Sequence, residues 1–403
     1  MVRWADTVFA VWVCASLAAG PLCLASAPRV RISEVMSSDN TSFADEDGDC
    51  GDWVELANVG DADAPLDGWG LSDDFANAPL KWTFPAIVLK TNEYLVVWAS
   101  GKDRRPSQKI SDGPFVIAAS NTVWRYRDNG LAPDPDWAVT HYDDSAWSSG
   151  PAMLGYGFSK ITTTVSYGPA STNKYPATYF RQAFVSPVGP GEVSTNGLLR
   201  LWVDDGAIVY LNGQEILRIR MPAGAVTCRT FASTLVSANG GWASYDVPIS
   251  ALVKGTNVLA AEVHQYNATS SDLALWAELS ARPAGQHTNF KISAGNEAVT
   301  LCDASGVAVD AAPALNVVLR DTSFGRATGD PDGGWVMFPY PTPGAANGTE
   351  GFTKLLEAPG FTVSPGFYAS PVTVGITNED PEAVIYYTLD GSTPTNAITT
   401  NCF

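Results

Sequence analysis

Five acidic residues within eight positions form the densest group of possible metal ligands in the sequence: Asp45, Glu46, Asp47, Asp49 and Asp52. Calcium takes about six to eight oxygen ligands, and carboxylates spaced along a loop that contains glycine can supply several of them. The spacing differs from that of an EF-hand loop, which needs glycine at its sixth position and glutamate at its twelfth. The sequence predicts a calcium site formed by Asp45, Asp47, Asp49 and Asp52, with a solvated acidic turn as the alternative.

A second acidic pair, Asp204 and Asp205, comes just before Gly206 and has aromatic residues on both sides. Flat aromatic rings pack on the apolar face of a sugar, while nearby carboxylates accept hydrogen bonds from its hydroxyl groups. We therefore predict a carbohydrate site formed by Trp202, Asp204, Asp205 and Tyr210. The alternative is that the Asp-Gly pair only forms a hairpin turn and that the aromatic rings pack in the core.

The sequence lacks the motifs of common catalytic sites. No serine lies in a Gly-x-Ser-x-Gly elbow, and neither His-Glu-x-x-His nor a phosphate-binding loop occurs. One of the three histidines, His264, lies two positions from Glu262 on a predicted strand, which suits a hydrogen-bonded structural role. We therefore predict that the chain is not an enzyme.

Short apolar runs between turn residues must position these side chains. Val54 and Leu56 lie on one face of a predicted strand, and Leu199, Leu201 and Val203 lie on one face of another, as expected where one face of a sheet is buried. The 403 residues include 36 glycines, 27 prolines and 13 tryptophans, a composition that with these runs is typical of several all-β modules. We predict an all-β protein built from sandwich domains.

The net charge bears on the kind of partner the protein can bind, and the N-terminal residues bear on where the protein is located. A net charge of −18 repels phosphate backbones, so we expect no nucleic acid partner. Residues 1–27 have the charged start, apolar middle and small residues of a secretory signal. No later apolar run reaches the roughly twenty residues that span a bilayer, so we expect a secreted or cell-surface protein without a transmembrane segment.

Five segments together resemble the lamin-tail domain, an immunoglobulin-like β-sandwich of many secreted bacterial proteins: Ile32–Met36, Asp52–Asn58, Gly68–Asp73, Tyr94–Trp98 and His287–Gly295. In that family the last segment follows soon after the Tyr94–Trp98 strand. Here it comes almost two hundred residues later. The resemblance therefore implies that a second domain is inserted into the sandwich.

The intervening residues resemble galactose-binding-like jelly-roll modules of secreted glycoside hydrolases and surface proteins. The matching segments are Asp143–Gly157, Val203–Gly213, Glu262–Gln265 and Ser270–Leu273. An acid pair before glycine also resembles the motif of protective-antigen-type lectin modules, where bound calcium coordinates sugar hydroxyls. The resemblance thus implies carbohydrate as the leading ligand class and calcium as the candidate ion at Asp204 and Asp205.

The last part of the chain, with Phe367–Tyr368 and Ile385–Pro394, resembles the chitobiase C-terminal type of β-sandwich. Only about forty residues of that module are present, so we interpret the sequence as truncated. The whole arrangement resembles the N-terminal part of spore-coat-kinase-like surface proteins. The predicted divisions are a signal peptide (1–27), the first lamin-tail part (28–110), the inserted jelly roll (111–284), the second lamin-tail part (285–346), a linker (347–359) and the truncated sandwich (360–403).

The resemblance to a split sandwich also suggests one disulfide. Cys50 and Cys302 both belong to the lamin-tail parts, and export permits disulfides. The alternative is that the cysteines are independent thiols.

We predict a non-catalytic scaffold that binds carbohydrate or a cell-envelope polymer, with calcium as the one possible cofactor. Two alternatives remain open: modules that act only as spacers or protein contacts, and N-terminal appendages of a larger secreted enzyme.

Overall fold

The computed structural model describes residues 27–107, 113–236, 241–295, 297–314, 319–327 and 329–394. In these ranges the chain contains strands and no helix, so the predicted all-β sandwich class is confirmed. None of the described residues belongs to a helix with the length and apolarity needed to cross a membrane. The predicted signal peptide lies outside the described residues except for Ala27.

The strands, numbered along the chain, are β1 Val30–Met36, β2 Trp53–Asn58, β3 Ala64–Pro65, β4 Gly70–Ser72, β5 Trp82–Thr83, β6 Val88–Leu89, β7 Tyr94–Trp98, β8 Phe115–Ala118, β9 Val123–Arg127, β10 Ser148–Pro151, β11 Leu154–Tyr156, β12 Thr163–Thr164, β13 Ala177–Ser186, β14 Asn196–Asp204, β15 Gly206–Leu211, β16 Gln214–Ile219, β17 Ala243–Pro248, β18 Gly255–His264, β19 Leu273–Ala281, β20 Gln286–His287, β21 Val299–Cys302, β22 Ala308–Ala312, β23 Ser323–Arg326, β24 Trp335–Phe338, β25 Gly360–Phe361 and β26 Ile376–Thr377.

Strands from both ends of the described chain share two sheets, which we call the host sandwich. One sheet has the order β20-β7-β2-β1-β23-β24, and the other has the order β22-β21-β4-β5. Val54 and Leu56 of β2 face a core that also contains Phe290 and Leu301, which come from beyond residue 285. Residues separated by more than two hundred positions therefore bury one another's apolar surface, the main source of stability in such a core.

The strands β8 to β19, which we call the insert, form two sheets of their own. Their orders are β10-β9-β13-β18-β15-β16 and β12-β11-β19-β14-β17, with β8 pairing with β19. Alternation along the strands places Phe180, Leu199 and Leu275 in the core between the two sheets. The long β13–β18 pair runs from Ala177–His264 to Ser186–Gly255 without a break in register.

The insert's β13-containing sheet is apolar on its outer face as well. Tyr179 and Ala260 point away from the main core and pack under Trp137 and Trp147, which come from the loop between β9 and β10. Arg181, only 2% exposed, anchors this loop because it donates hydrogen bonds to Asp144 at 2.8 Å, to Val139 O at 3.1 Å and to Trp137 O. The loop is therefore held as part of the domain wall.

Two paired segments connect the host sandwich with the insert, and we call residues 100–106 and 282–288 the neck. Arg104 N donates to His287 O at 3.1 Å, and His287 N donates to Arg104 O at 2.9 Å. β20, inside the second segment, continues this pairing along the edge of β7. The outgoing and returning chains thus leave the host sandwich side by side.

The predicted Cys50–Cys302 disulfide is wrong. Cys50 and Cys302 are both free thiols. Cys50 is exposed and bridges to Ala44 in the acidic loop, whereas Cys302 is fully buried on β21 in the other host sheet. Membership of one sandwich does not bring two cysteines within bonding distance when one lies in an exposed loop and the other inside a sheet.

Candidate functional site

The best-formed small pocket of the insert lies on the outer face of the β13-β18-β15 sheet. Its cavity has a volume of about 270 Å³, and five side chains give it its chemistry: Trp137, Tyr179, Tyr210, Arg218 and Glu262. We call it the Tyr210 pocket. Three aromatic rings, one carboxylate and one guanidinium therefore converge on a single concavity.

The sheet register brings these residues together. Tyr179 on β13 lies directly opposite Glu262 on β18. Tyr210 on β15 lies opposite Ala260, which is two positions before Glu262 on β18 and therefore on the same face of the sheet. Trp137 closes the side, with its ring centroid 5.2 Å from that of Tyr179 and 5.6 Å from that of Tyr210, both edge to face. Edge-to-face packing of this kind adds about 0.5–1.5 kcal/mol per pair to the burial of the rings.

A buried polar chain forms the floor of the pocket. The Tyr210 hydroxyl donates to Glu262 Oε1 at 2.6 Å, and His264 Nε2 lies 3.2 Å from Glu262 Oε2. His264 Nδ1 lies 2.7 Å from Thr230 O, and since a carbonyl oxygen only accepts, Nδ1 carries a proton. Both carboxylate oxygens of Glu262 are therefore held in fixed positions.

The two phenols stay protonated at neutral pH. Burial raises the pKa of Tyr179 and of Tyr210, and the negative charge of Glu262 raises both further. Tyr179 is 3% exposed, and among the described residues its hydroxyl has no hydrogen-bond partner. Its hydroxyl is thus free to donate to or accept from a ligand.

Arg218 contributes little unpaired charge to the pocket. Its Nε and Nη2 donate to the two carboxylate oxygens of Glu215 at 2.8 and 2.6 Å, and its Nη1 donates to Pro222 O at 3.0 Å. A bidentate pair of this kind fixes the plane of the guanidinium. Arg218 therefore forms a rigid polar rim.

The acid pair Asp204 and Asp205 lies outside the Tyr210 pocket, at the end of β14. Asp205 accepts hydrogen bonds from Val236 N and Tyr266 N, both at 2.8 Å, so its carboxylate ties two loops together. Asp204 is 1% exposed, and neither of its carboxylate oxygens has a partner among the described residues. Burial, followed by the charges of Asp205 and Asp272, raises the pKa of Asp204 to about 8. The peptide bond between Asp204 and Asp205 is cis.

The four residues predicted to form one carbohydrate site do not come together. Trp202 is 8% exposed, stacks near Trp276 and lies under Lys160, whose Nζ is 4.8 Å from its ring centroid. Trp202 and Asp204 belong to β14 of one sheet, whereas Tyr210 belongs to β15 of the other. Tyr210 instead joins the pocket described above. Sugar or calcium binding at Asp204 and Asp205 stays a prediction.

The acidic loop at residues 45–49 packs against the neck, where cations of the same chain lie among its carboxylates. Lys102 Nζ contacts Asp45 and lies 2.7 Å from Asp47 and 2.9 Å from Asp49. Arg104 pairs with Glu46 and lies 2.6 Å from Asp47. The loop also reaches the insert, because Thr195 N donates to Asp47 Oδ1 at 2.7 Å.

These contacts shift Glu46 and Asp47 toward the charged form. Burial alone raises the pKa of Glu46, but the hydrogen bond from His287, the charge of His287 and two backbone hydrogen bonds together outweigh burial and lower the pKa to about 2. Burial likewise acts on Asp47, yet hydrogen bonds from Lys102 and Arg104 hold its pKa far below the ordinary range. The loop is a set of ion pairs that joins both neck segments.

The predicted calcium site is only partly assembled. Asp45, Asp47 and Asp49 each offer an oxygen within 4.8 Å of the others, whereas Asp52 lies outside this group. Burial raises the pKa of Asp52 to about 6, and Asp39 lies beside it. Calcium binding stays a prediction, and the ammonium of Lys102 is the group that an ion would have to displace.

Sequence reasoning missed the partners that give these sites their character. Glu262 and Tyr179 could have been found from the strand alternation, because residues opposite one another on neighbouring strands share a face. Lys102 and Arg104 are separated from the acidic loop by more than fifty residues.

Two segments of the chain match family models. Residues 24–145 match the Lamin Tail Domain, and residues 363–400 match the Chitobiase/beta-hexosaminidase C-terminal domain, as two of the resemblances predicted. The first match continues past the host strands, since β8 and β9 belong to the sheets of the insert. The resemblances to a jelly roll and to spore-coat-kinase-like proteins stay predictions. No curated protein matches the sequence.

Three solved structures that match part of this chain are beta-glucuronidases. A beta-glucuronidase from an uncultured Clostridium is 13% identical over 45% of this chain and 31% of its own, with a TM-score of 0.28. A Bacteroides uniformis beta-glucuronidase is 14% identical over 47% of this chain and 22% of its own, with a TM-score of 0.28. Bacteroides uniformis beta-glucuronidase 2 is 14% identical over 53% of this chain and 23% of its own, with a TM-score of 0.29. The chain thus spans less than a third of each enzyme, and a similarity this low indicates no function.

Proposed function

We propose that the chain is a secreted or cell-surface binding scaffold without catalytic activity of its own, and that the Tyr210 pocket binds carbohydrate. The observation that carries the proposal is the convergence of Trp137, Tyr179 and Tyr210 on a concavity with Glu262 at its floor. Sugars need an apolar ring face and fixed hydrogen-bonding groups side by side, and this pocket offers both.

The dimensions and polar groups suit one sugar unit. A cavity of about 270 Å³ lies near the lower end of the range for small-molecule sites, which is roughly 300–1,000 Å³. The Tyr210 hydroxyl donates to Glu262, so its oxygen can accept from a sugar hydroxyl, and the Tyr179 hydroxyl can donate or accept. We infer that a terminal or side-branch sugar residue is held there rather than a long chain.

The acids of the pocket favour binding over hydrolysis. Most glycoside hydrolases use two carboxylates across the scissile bond. Glu262 is the one carboxylate among the described residues that line this pocket, and both of its oxygens already have partners. We therefore propose a holding role for Glu262.

A glycan array with the full chain, followed by calorimetric titration of the strongest glycan, tests this function. Tyr179→Phe and Tyr210→Phe each remove one hydroxyl from the pocket, and we expect each to weaken binding at least fivefold. Tyr167→Phe is the matched control, because Tyr167 is 40% exposed and does not line the pocket. An array without signal, or affinities that both variants leave unchanged, would contradict the proposal.

The paired neck favours a second candidate, a spacer that holds neighbouring modules at a set angle. The acidic loop contacts both neck segments through Arg104 and His287, and it accepts a hydrogen bond from Thr195 N of the insert; together these contacts resist bending between host sandwich and insert. The glycan array separates the two functions, because a spacer needs no sugar affinity.

A further inference from the structure

A groove with a volume of about 800 Å³ follows the outer edge of β7, where the host sandwich meets the neck. Its walls are mainly apolar and include Phe43, Val88, Leu95 and Pro283. Glu93 is the one charged residue among the described residues that line it. The groove therefore suits an uncharged, apolar occupant.

One wall of this groove is a strand edge that β20 covers only in part. In the host sheet β20 pairs in parallel with Val97 and Trp98 of β7. Asn58 N donates to Glu93 O at 3.1 Å, and Ala99 N donates to Asp52 O at 2.7 Å, so odd-numbered residues turn their backbone groups toward β2. Because backbone direction alternates along a strand, Tyr94 and Val96 turn theirs away from β2; the parallel register engages the Val96 carbonyl with β20, which leaves both backbone groups of Tyr94 and the Val96 N–H toward the groove.

A buried acceptor lies beside that edge. Gln286 is 5% exposed, and its Nε2 donates to Pro106 O at 2.7 Å. Its Oε1 has no hydrogen-bond partner among the described residues. A buried acceptor without a donor costs free energy, and a backbone N–H brought into the groove would satisfy it.

We propose that the groove docks an extended, uncharged, apolar segment of a partner protein, which adds a strand to β7. An extended peptide supplies main-chain donors and acceptors for Tyr94 and Val96 and alternate side chains for the apolar walls. A helix has no free main-chain groups along its length, so it would leave the edge and Gln286 Oε1 unsatisfied. Strand edges that stay exposed also risk unwanted pairing, which a dedicated partner segment prevents.

Fluorescence anisotropy of the full chain with a labelled peptide, Ac-Val-Thr-Val-Thr-Val-Thr-NH₂, tests strand addition. The comparison peptide has the same side chains but N-methyl groups on alternate residues, which remove the N–H donors from one edge. We expect saturable binding of the first peptide and at least tenfold weaker binding of the second. No saturable binding, or equal binding of the two peptides, overturns the proposal.

Two pairs of variants locate the site. Gln286→Leu removes the orphan acceptor, and we expect a severalfold loss of peptide affinity, whereas Gln214→Leu, at an exposed position on the insert, has no effect. Val88→Glu adds charge to the groove wall and should abolish binding, while Val185→Glu should not, because Val185 is 73% exposed on the insert. Binding that survives both groove variants overturns the assignment to this groove.

Amide hydrogen exchange of the free protein tests the competing occupants. We expect rapid exchange at Tyr94 and Val96 that slows severalfold when the peptide binds. If the Tyr94 and Val96 amides exchange slowly without peptide at every protein concentration, the chain covers the edge of β7 itself. Slow exchange that disappears on dilution would mean that a second copy covers it. Either result overturns the proposal.

Discussion

The two acidic clusters of this protein have similar sequences and opposite surroundings. In the loop at residues 45–49, Lys102 and Arg104 supply positive charge from the neck, and the pKa values of Glu46 and Asp47 are lowered. At the end of β14, Asp204 is more deeply buried and has no partner among the described residues, and its pKa rises to about 8. The number of carboxylates is therefore a poor guide to what a cluster does; the distant partner decides it.

The difference also separates two roles. A cluster whose charges are all matched by side chains of the same protein acts as a structural joint, and an added ion must displace a lysine. A carboxylate that is buried without a partner holds a proton, or accepts a donor or cation from outside, because an unpaired buried charge is costly. The following experiments test this contrast.

Lys102→Met should give the largest effect, because it leaves Asp45, Asp47 and Asp49 close together without their shared cation. We expect a loss of about 3 kcal/mol in the free energy of unfolding. This is the lower end of the roughly 3–5 kcal/mol lost when one partner of a buried ion pair is removed. The side chain of Lys102 is 22% exposed, so solvent screens part of the repulsion. Urea titration measures the loss. Lys254→Met, whose side chain is 68% exposed, serves as the control and should change stability little.

Asp204→Asn should stabilise the protein, and increasingly so as the pH rises. The pKa of Asp204 is 3.8 when exposed and about 8 in the fold, so between these values the folded state binds the extra proton and stability falls with rising pH. We expect the gain from Asn to be near zero at pH 5 and to grow by about 1.4 kcal/mol per pH unit, to about 3 kcal/mol at pH 7, with a further rise until the pH passes the folded pKa.

The difference between variant and wild type is the quantity to measure, because other acids contribute to the pH curve. Burial raises the pKa of Glu55 to about 8 and also raises that of Glu34, so wild-type stability alone would not isolate Asp204. Urea titrations at pH 5, 7 and 9 give the difference. Asp246→Asn on the exposed side of β17 is the control. A gain in unfolding free energy that is equal at pH 5, 7 and 9 would contradict the raised pKa of Asp204.

Calcium should discriminate between the wild type and Lys102→Met. Removal of the ammonium takes the shared cation away from Asp45, Asp47 and Asp49, while Asp47 keeps its contacts with Arg104 and Thr195, so we expect the variant to bind calcium more tightly. Binding to the folded state alone stabilises by about 1.4 kcal/mol at ten times the dissociation constant. Melting temperatures with and without millimolar calcium give the comparison. Equal shifts for both proteins would argue against Lys102 as the competitor.

Local patterns predicted the fold class but not the environment of the acids. Alternation along β2 and β14 correctly placed Val54, Leu56, Leu199, Leu201 and Val203 on the faces that meet the cores, but it missed that both faces of β2 are buried. The role of Lys102 depends on where the chain leaves the host sandwich, and the burial of Asp204 depends on loops near Val236 and Tyr266. Neither is encoded within a few residues of the acid itself. The exact module bounds stay predictions for the same reason.

Thr195→Val should give the smallest effect and tests whether the acidic loop also orients the insert. Thr195 Oγ1 accepts from Arg104 Nη2 at 2.6 Å, while Thr195 N donates to Asp47 in either variant. The Thr195 hydroxyl also donates to Asp47 Oδ2 at 3.3 Å, so the variant loses two exposed hydrogen bonds, which should cost about 0.5–1 kcal/mol in stability. Amide exchange of the neck around Arg104 and His287 should nevertheless quicken more than exchange within β13. Thr256→Val, at an exposed position on β18, is the control. Unchanged exchange in the neck would show that the ion pairs and the retained hydrogen bond from Thr195 N to Asp47 hold the neck without the Thr195 hydroxyl.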